Sequence, residues 1–188
     1  MGKGKKKELV VGVCGSIAAF KAAELVSRLA RKNFEVTVVM TEGAQKFIRP
    51  LTFWSLSRQP VITDLFPPEG ISQDNHIVLA RRVSLVIIAP ASADIIGKMA
   101  QGIADDFLTT LVIALSCPVL VCPAMHQKMY ANSFVQENIG KLKKAGFYFL
   151  GPESGRLSSG DKGKGRLVSV DRILSEALKI LRRPAKRR

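Results

Sequence analysis

The stretch VLVCPAMHQKMYAN, residues 119–132, decides how the chain folds. Val119, Leu120 and Val121 form a short apolar run, as expected of a strand covered on both faces, and Pro123 ends it by removing a backbone donor and fixing φ. Ala124, Met125, His126, Gln127, Met129, Tyr130 and Asn132 then crowd into the mouth of the next helix. A buried strand that breaks into such side chains just ahead of a helix is one unit of an open α/β sheet, whose ligand crevices lie at the carboxyl ends of the strands. Proline and methionine also serve plain packing at such junctions, so the neighbouring junctions must be read with this one.

The same unit recurs on both sides. Residues 9–13, LVVGV, are continuously apolar and run into Cys14-Gly15-Ser16-Ile17, which opens a helix through about Lys32 with Ala19, Phe20, Ala23, Leu25, Val26 and Leu29 on its apolar face. A Gly-Ser turn at a helix start presents free N–H groups and the positive dipole end to an anion, with phosphate the natural guest. Ser16 serves equally well as a simple cap. EVTVVM, 35–40, is a second strand, and Thr41 begins a short helix through Phe47, either as its cap or as a contact to phosphate or flavin. From Ile48 to Ser72 four prolines predict irregular chain, with Phe53, Trp54 and Phe66 packing beneath it or against another subunit.

Asn75-His76 precedes a short helix beginning at Ile77. By position alone His76 is a cap, a surface residue or a catalytic acid/base. The strand Leu85–Ala89 ends in Pro90-Ala91-Ser92-Ala93-Asp94, where small side chains let a planar ligand approach the backbone. Helices are predicted over 95–100 and 105–114. Beyond the opening stretch, 135–145 is amphipathic and stops at Gly146, 147–150 is a last short strand, and 170–181 is a closing helix. Between them, 151–166 holds five glycines, too many for a stable element, and loops of this length inside a compact domain are often lids. Repeated β-α alternation demands right-handed crossovers and a mainly parallel sheet with helices on both faces.

Composition limits the function classes. With 188 residues, 47% of them hydrophobic, the chain suits one domain, expected over 9–181 between basic tails at 1–8 and 182–188. No apolar run approaches a membrane span and no leader pattern is visible, so a cytoplasmic protein is expected. The formal charge is +14, but Lys3, Lys5, Lys6, Lys7, Arg182, Arg183, Lys186, Arg187 and Arg188 sit in the tails, which leaves an ordinary +5 for the body. Aromatics are few, and specific nucleic-acid recognition is not expected. Cys14, Cys117 and Cys122 lie in or beside apolar runs without metal-ligand spacing, so reduced, buried, inert thiols and no metal site are expected.

Six blocks in order carry a resemblance: VGVCGSIAAFK, VVMTEGAQKFI, NHIVLAR, APASADIIGKMAQGIADD, PAMHQKMY and GPESGRLSSGDKGKGRL. Over about Leu9–Ile180 the chain resembles the homo-oligomeric flavin-containing Cys decarboxylases, most of all their phosphopantothenoylcysteine decarboxylase branch. The resemblance implies a Rossmann-like three-layer subunit, trimers or dodecamers, and FMN at a subunit interface. It implies Gly15, Ser16 and Ile17 at the FMN phosphate or ribityl chain, Thr41 as a further contact, and Pro90, Ala91, Ser92 and Ala93 along the flavin. His76 matches the family's catalytic histidine. Met125, His126, Met129 and Ser159 fall at substrate positions, His126 where the family has Asn and Ser159 where coenzyme A decarboxylases have Cys, while Tyr130 replaces a Trp. The implied activity is FMN-dependent decarboxylation of a cysteinyl carboxylate, foremost 4'-phospho-N-pantothenoylcysteine to 4'-phosphopantetheine. The alternatives are an FMN oxidoreductase or electron-transfer flavoprotein on the same fold, and an oxidative peptidyl-cysteine decarboxylase.

Overall fold

The computed structural model describes residues 6–66 and 75–183. Six strands, β1 (Glu8–Val13), β2 (Glu35–Met40), β3 (Val61–Ile62), β4 (Val83–Ala91), β5 (Val119–Pro123) and β6 (Tyr148–Phe149), form one sheet in the order β3-β2-β1-β4-β5-β6. All of its pairings are parallel. A parallel sheet must be covered on both faces, and the alternation along β1 shows how: Leu9, Val11 and Val13 enter one core, Val10 the other.

The first core is closed by α1 (Ala19–Arg31), α3 (Pro50–Ser57) and α9 (Val170–Arg182), the second by α4 (His76–Arg82), α5 (Ala93–Gln101), α6 (Phe107–Ala114) and α8 (Ser133–Lys144). Two further helices are single turns, α2 (Glu42–Gln45) and α7 (Gln127–Tyr130). This is the Rossmann-like three-layer α/β architecture expected from the sequence. Strand order reverses between β1 and β4, so the crevice falls where their following turns diverge.

Several expectations need correction. The first helix starts at Ala19 rather than in the Gly-Ser turn, because Ser16 turns the chain first: its Oγ accepts the Ala18 N–H at 3.2 Å and its carbonyl accepts the Ala19 N–H at 2.9 Å. The segment from Ile48 is not irregular. It contains α3, with Pro50 at its first turn, and β3; residues 67–72 lie outside the described residues. Phe53 packs beneath it in the core, but Trp54 and Phe66 are exposed.

Glu8 and Arg182 belong to β1 and α9 rather than to tails. The Glu8 carboxylate is buried and accepts hydrogen bonds from Arg82 at 2.8 and 3.2 Å and from the Thr37 hydroxyl at 3.3 Å. Cys14 and Cys122 are buried as expected; Cys117 is only half-buried.

The largest difference is in the glycine-rich segment, which forms an antiparallel hairpin of β7 (Glu153–Arg156) and β8 (Lys162–Arg166). Its turn is closed by backbone bonds from Leu157 N–H to the Asp161 carbonyl, 2.7 Å, and from Gly160 N–H to the Leu157 carbonyl, 3.0 Å. Among the described residues no helix is long and apolar enough to cross a membrane.

Candidate active site

Backbone bonds tie the strand tips together. Cys14 N–H donates to the Pro90 carbonyl at 3.3 Å, Thr41 N–H to Val13 at 3.0 Å and Ala124 N–H to Ala91 at 3.0 Å. The turns after β1, β2, β4 and β5 are therefore held side by side. Gly15 meets Gly43 backbone to backbone, and a Cβ on Gly15 would lie 3.1 Å from the Gly43 carbonyl carbon. Two adjoining cavities open here, of about 650 and 560 Å³, and both are bordered by Gly15, Ser92, Ala93 and Met129.

The larger cavity has Ser16, Ile17, Met125 and His126 on its body side and the hairpin on the other. The backbone N–H groups of Gly15, Ser16 and Ile17 donate to no acceptor among the described residues, so they stand ready for a ligand. The smaller cavity is bordered by Thr41, whose hydroxyl oxygen caps α2 by accepting the Ala44 N–H at 3.3 Å. Ser92 caps α5 in the same manner, accepting the Ile95 N–H at 3.3 Å. Pro90 and Ala91 lie within β4, where Ala91 is fully buried, and support these turns from beneath instead of lining either cavity.

Beside Ser92 the Cys14 thiol is wholly buried. Desolvation pushes it far above the ordinary thiol range, and a backbone hydrogen bond from Ser92 only partly opposes this, so it stays protonated and inert.

His126 sits at the start of α7 with both ring nitrogens engaged. Nδ1 accepts the Lys128 N–H at 3.2 Å, which leaves the proton of the neutral ring on Nε2, 3.1 Å from Asp161 Oδ2. The Ser159 hydroxyl donates to the same carboxylate oxygen, also at 3.1 Å. The His126 hydrogen bond, then that of Ser159, holds the Asp161 carboxyl below the usual carboxylate range. Ser159 thus acts on the hairpin turn, and it is Ser158 that borders the cavity.

His76, at the N-terminus of α4, borders neither cavity. Its ring stands edge-on to Phe107 with centroids 6.5 Å apart. The structure therefore gathers Gly15, Ser16, Ile17, Thr41, Ser92, Ala93, Met125, His126 and Met129 around one crevice, and leaves His76 outside it within a single chain.

Sequence reasoning missed Phe20, Lys21, Arg156, Leu157, Arg166 and Leu167, all of which border the larger cavity. The periodicity of α1 places Phe20 on its apolar face, yet it is 63% exposed, because the helix starts late and its first turn overhangs the crevice. The basic residues gave little signal, being 3 of 29 lysines and arginines.

Comparison with known proteins agrees with this geometry. The Flavoprotein family model matches residues 2–182. The coenzyme A biosynthesis bifunctional protein CoaBC of Vibrio vulnificus is 45% identical over 169 residues, which is 90% of this chain and 42% of that protein. CoaBC of Bacillus subtilis is 43% identical over 173 residues, 92% of this chain and 43% of that one. The chain thus spans about two fifths of the length of these relatives. Among solved structures, a PPC decarboxylase variant complexed with pantothenoylaminoethenethiol superimposes with a TM-score of 0.81 at 29% identity, covering 93% of this chain and 98% of the other. The FMN-dependent cysteine decarboxylase SpaF does so with 0.78 at 28% identity, covering 93% and 97%. Matched along nearly its whole length, and with the strand-tip crevice in place, the chain belongs to the Flavoprotein family, that of the homo-oligomeric flavin-containing Cys decarboxylases.

Proposed function

We propose that the chain is an FMN-dependent decarboxylase of a cysteinyl carboxylate, with 4'-phospho-N-pantothenoylcysteine as substrate and coenzyme A biosynthesis as its setting. The observation that carries this reading is the crevice itself, in which unpaired turn N–H groups and small or apolar side chains face a second, hairpin-built wall. Those residues fit FMN: Gly15, Ser16 and Ile17 would hold its phosphate or ribityl chain, Thr41 would add a contact, and Ser92 and Ala93 would admit the flat ring. A carboxylate leaves readily only if the resulting carbanion is delocalised, and FMN supplies the oxidation of the cysteinyl sulfur that makes this possible.

This chain's residues do the rest. The hairpin, within the 151–166 segment, acts as a lid that excludes water. His126 Nε2 now donates to a carboxylate, that of Asp161, and the substrate carboxylate would take the same donor in exchange. Met125 and Met129 supply adaptable apolar contact. His76 moves the proton as general acid/base, and because it lies outside the crevice of its own chain, it would serve the crevice of a neighbouring copy. The reading includes a homo-oligomer, trimeric or dodecameric, with FMN at the interface, and Trp54, Leu51 and Phe47, all more than half exposed, offer apolar surface for it. The working domain runs from β1 to α9, residues 8–182, in the cytoplasm.

Two measurements test the reading. Purified protein should be yellow and release CO₂ from 4'-phospho-N-pantothenoylcysteine; flavin-loaded protein without CO₂ release would exclude it. Mixing inactive His76→Asn subunits with inactive subunits crippled at Ser16 should restore part of the activity, and no recovery after exchange of subunits would place His76 outside the chemistry.

A further inference from the structure

We propose that Lys21, Arg156 and Arg166 form a subsite for a phosphate monoester at the edge of the larger cavity, and that it takes the phosphorylated end of the substrate. The inference rests on the decarboxylase reading and deepens it, since nothing in that reading assigns these three residues.

The two adjoining cavities differ sharply in charge. The larger is bordered by Lys21, Arg156 and Arg166 and by no carboxylate, whereas the smaller is bordered by Glu42, Asp94, Asp105 and Asp106 against Lys98 alone. Some cations elsewhere in the protein are paired. Arg28 meets Glu24 and Asp171, Arg82 meets Glu8, Lys98 meets Asp94 and Asp105, and Arg172 meets Glu153. Lys21, Arg156 and Arg166 have no carboxylate partner among the described residues. Three unpaired cations around one apolar cavity repel one another unless an anion joins them. A dianionic phosphate, taking bidentate hydrogen bonds from guanidinium groups, is the partner they suit.

Two of the three cations sit on the hairpin and not on the flavin turn. Lys21 stands in the first turn of α1, Arg156 near the turn end of the hairpin and Arg166 at its base with its side chain lying over Gly155, so all three border one cavity only while the hairpin is docked. Arg166 is seated on the hairpin by Gly155, where a Cβ would come within 2.7 Å of the arginine Cδ. A resident cofactor is suited to the fixed N–H groups of the turn at 15–17. An exchanging ligand is suited to charges carried on the hairpin. Phe20, Leu157 and Leu167 border the same cavity and give apolar surface for the uncharged middle of such a ligand.

The test measures two affinity ratios by calorimetry: 4'-phosphopantetheine against pantetheine on the FMN-loaded protein, and FMN against riboflavin on the apoprotein. In the wild type the phosphorylated thiol should bind at least about tenfold tighter, as charge-assisted contacts require. The Lys21→Ala/Arg156→Ala/Arg166→Ala variant should bring that ratio close to one and leave the flavin ratio unchanged. Arg166→Ala alone should give an intermediate ratio, so a folding failure of the triple variant leaves the proposal testable. A thiol ratio near one in the wild type, or one that survives the substitutions, overturns the subsite. Collapse of the flavin ratio alone also overturns it, by assigning the cations to the cofactor. Failure of both thiols to bind wild-type protein, together with no CO₂ release, is the distinct result that overturns the decarboxylase reading itself.

Discussion

Met125 and Gly165 are joined backbone to backbone: the Met125 N–H donates to the Gly165 carbonyl at 3.0 Å, and a Cβ on Gly165 would collide with the Met125 carbonyl oxygen. The hairpin reaches the strand-tip crevice through this contact, and only a residue without a side chain can make it. Gly165→Ala should therefore undock β7 and β8 while the six-stranded body stays folded. Hydrogen exchange should speed up over residues 153–166 alone, and KM for the cysteinyl substrate should rise about tenfold or more with FMN still bound. Unchanged exchange in the hairpin would show that the contact does not hold it.

The second tie is the His126–Asp161 hydrogen bond at 3.1 Å. Because the folded protein depresses the Asp161 pKa, the stabilisation this contact gives is present above the ordinary carboxylate pKa of about 3.9 and is lost as pH falls below it. Protection factors of hairpin amides should fall as pH drops below about 4, and in Asp161→Asn they should be low at neutral pH and nearly flat across that range. A variant as protected as wild type at neutral pH would remove Asp161 from this role.

Glu8 tests the foundation of the sheet. Its carboxylate is buried against Arg82 and Thr37, so Glu8→Ala strands the Thr37 hydroxyl and takes a charged acceptor from the guanidinium. A loss of about 2 kcal/mol is expected, about 5 °C in Tm for a domain of this size, without change in flavin affinity.

Thiol titration separates the three cysteines. Cys14 and Cys122 are wholly buried, and desolvation raises both far above the ordinary thiol range, whereas Cys117 is half-buried. Native protein should react rapidly at one thiol and at all three only after unfolding. Fast reaction at Cys14 would mean that the turn beneath the crevice opens readily.

The sequence made the sheet legible because its strands are apolar runs bounded by breakers: EVTVVM matches β2 residue for residue, and LVVGV falls one residue short of β1. It concealed α3 because PLTFWSLS has almost no polar face to contrast with its apolar one, buries only Phe53, and ends at Arg58 in the left-handed region instead of at a glycine. The hairpin was illegible for a different reason. KGKGR has neither β-branched residues nor apolar alternation, and its pairing depends on the backbone contacts its glycines permit. The crevice was readable from the GS, PASA and PAMH turns, whose composition reflects close backbone approach. The cations around it were not, since lysines and arginines elsewhere look the same until the fold places them.

That same poverty of side chains in β8 has a thermal consequence. The strand presents Lys162, Gly163, Lys164, Gly165 and Arg166, so its release uncovers peptide groups and charge much more than hydrocarbon. Exposure of apolar surface is what makes heat capacity rise when structure opens. The enthalpy separating docked from released hairpin should thus change little with temperature, giving a nearly straight van 't Hoff plot, and saline buffers should shift the equilibrium as well.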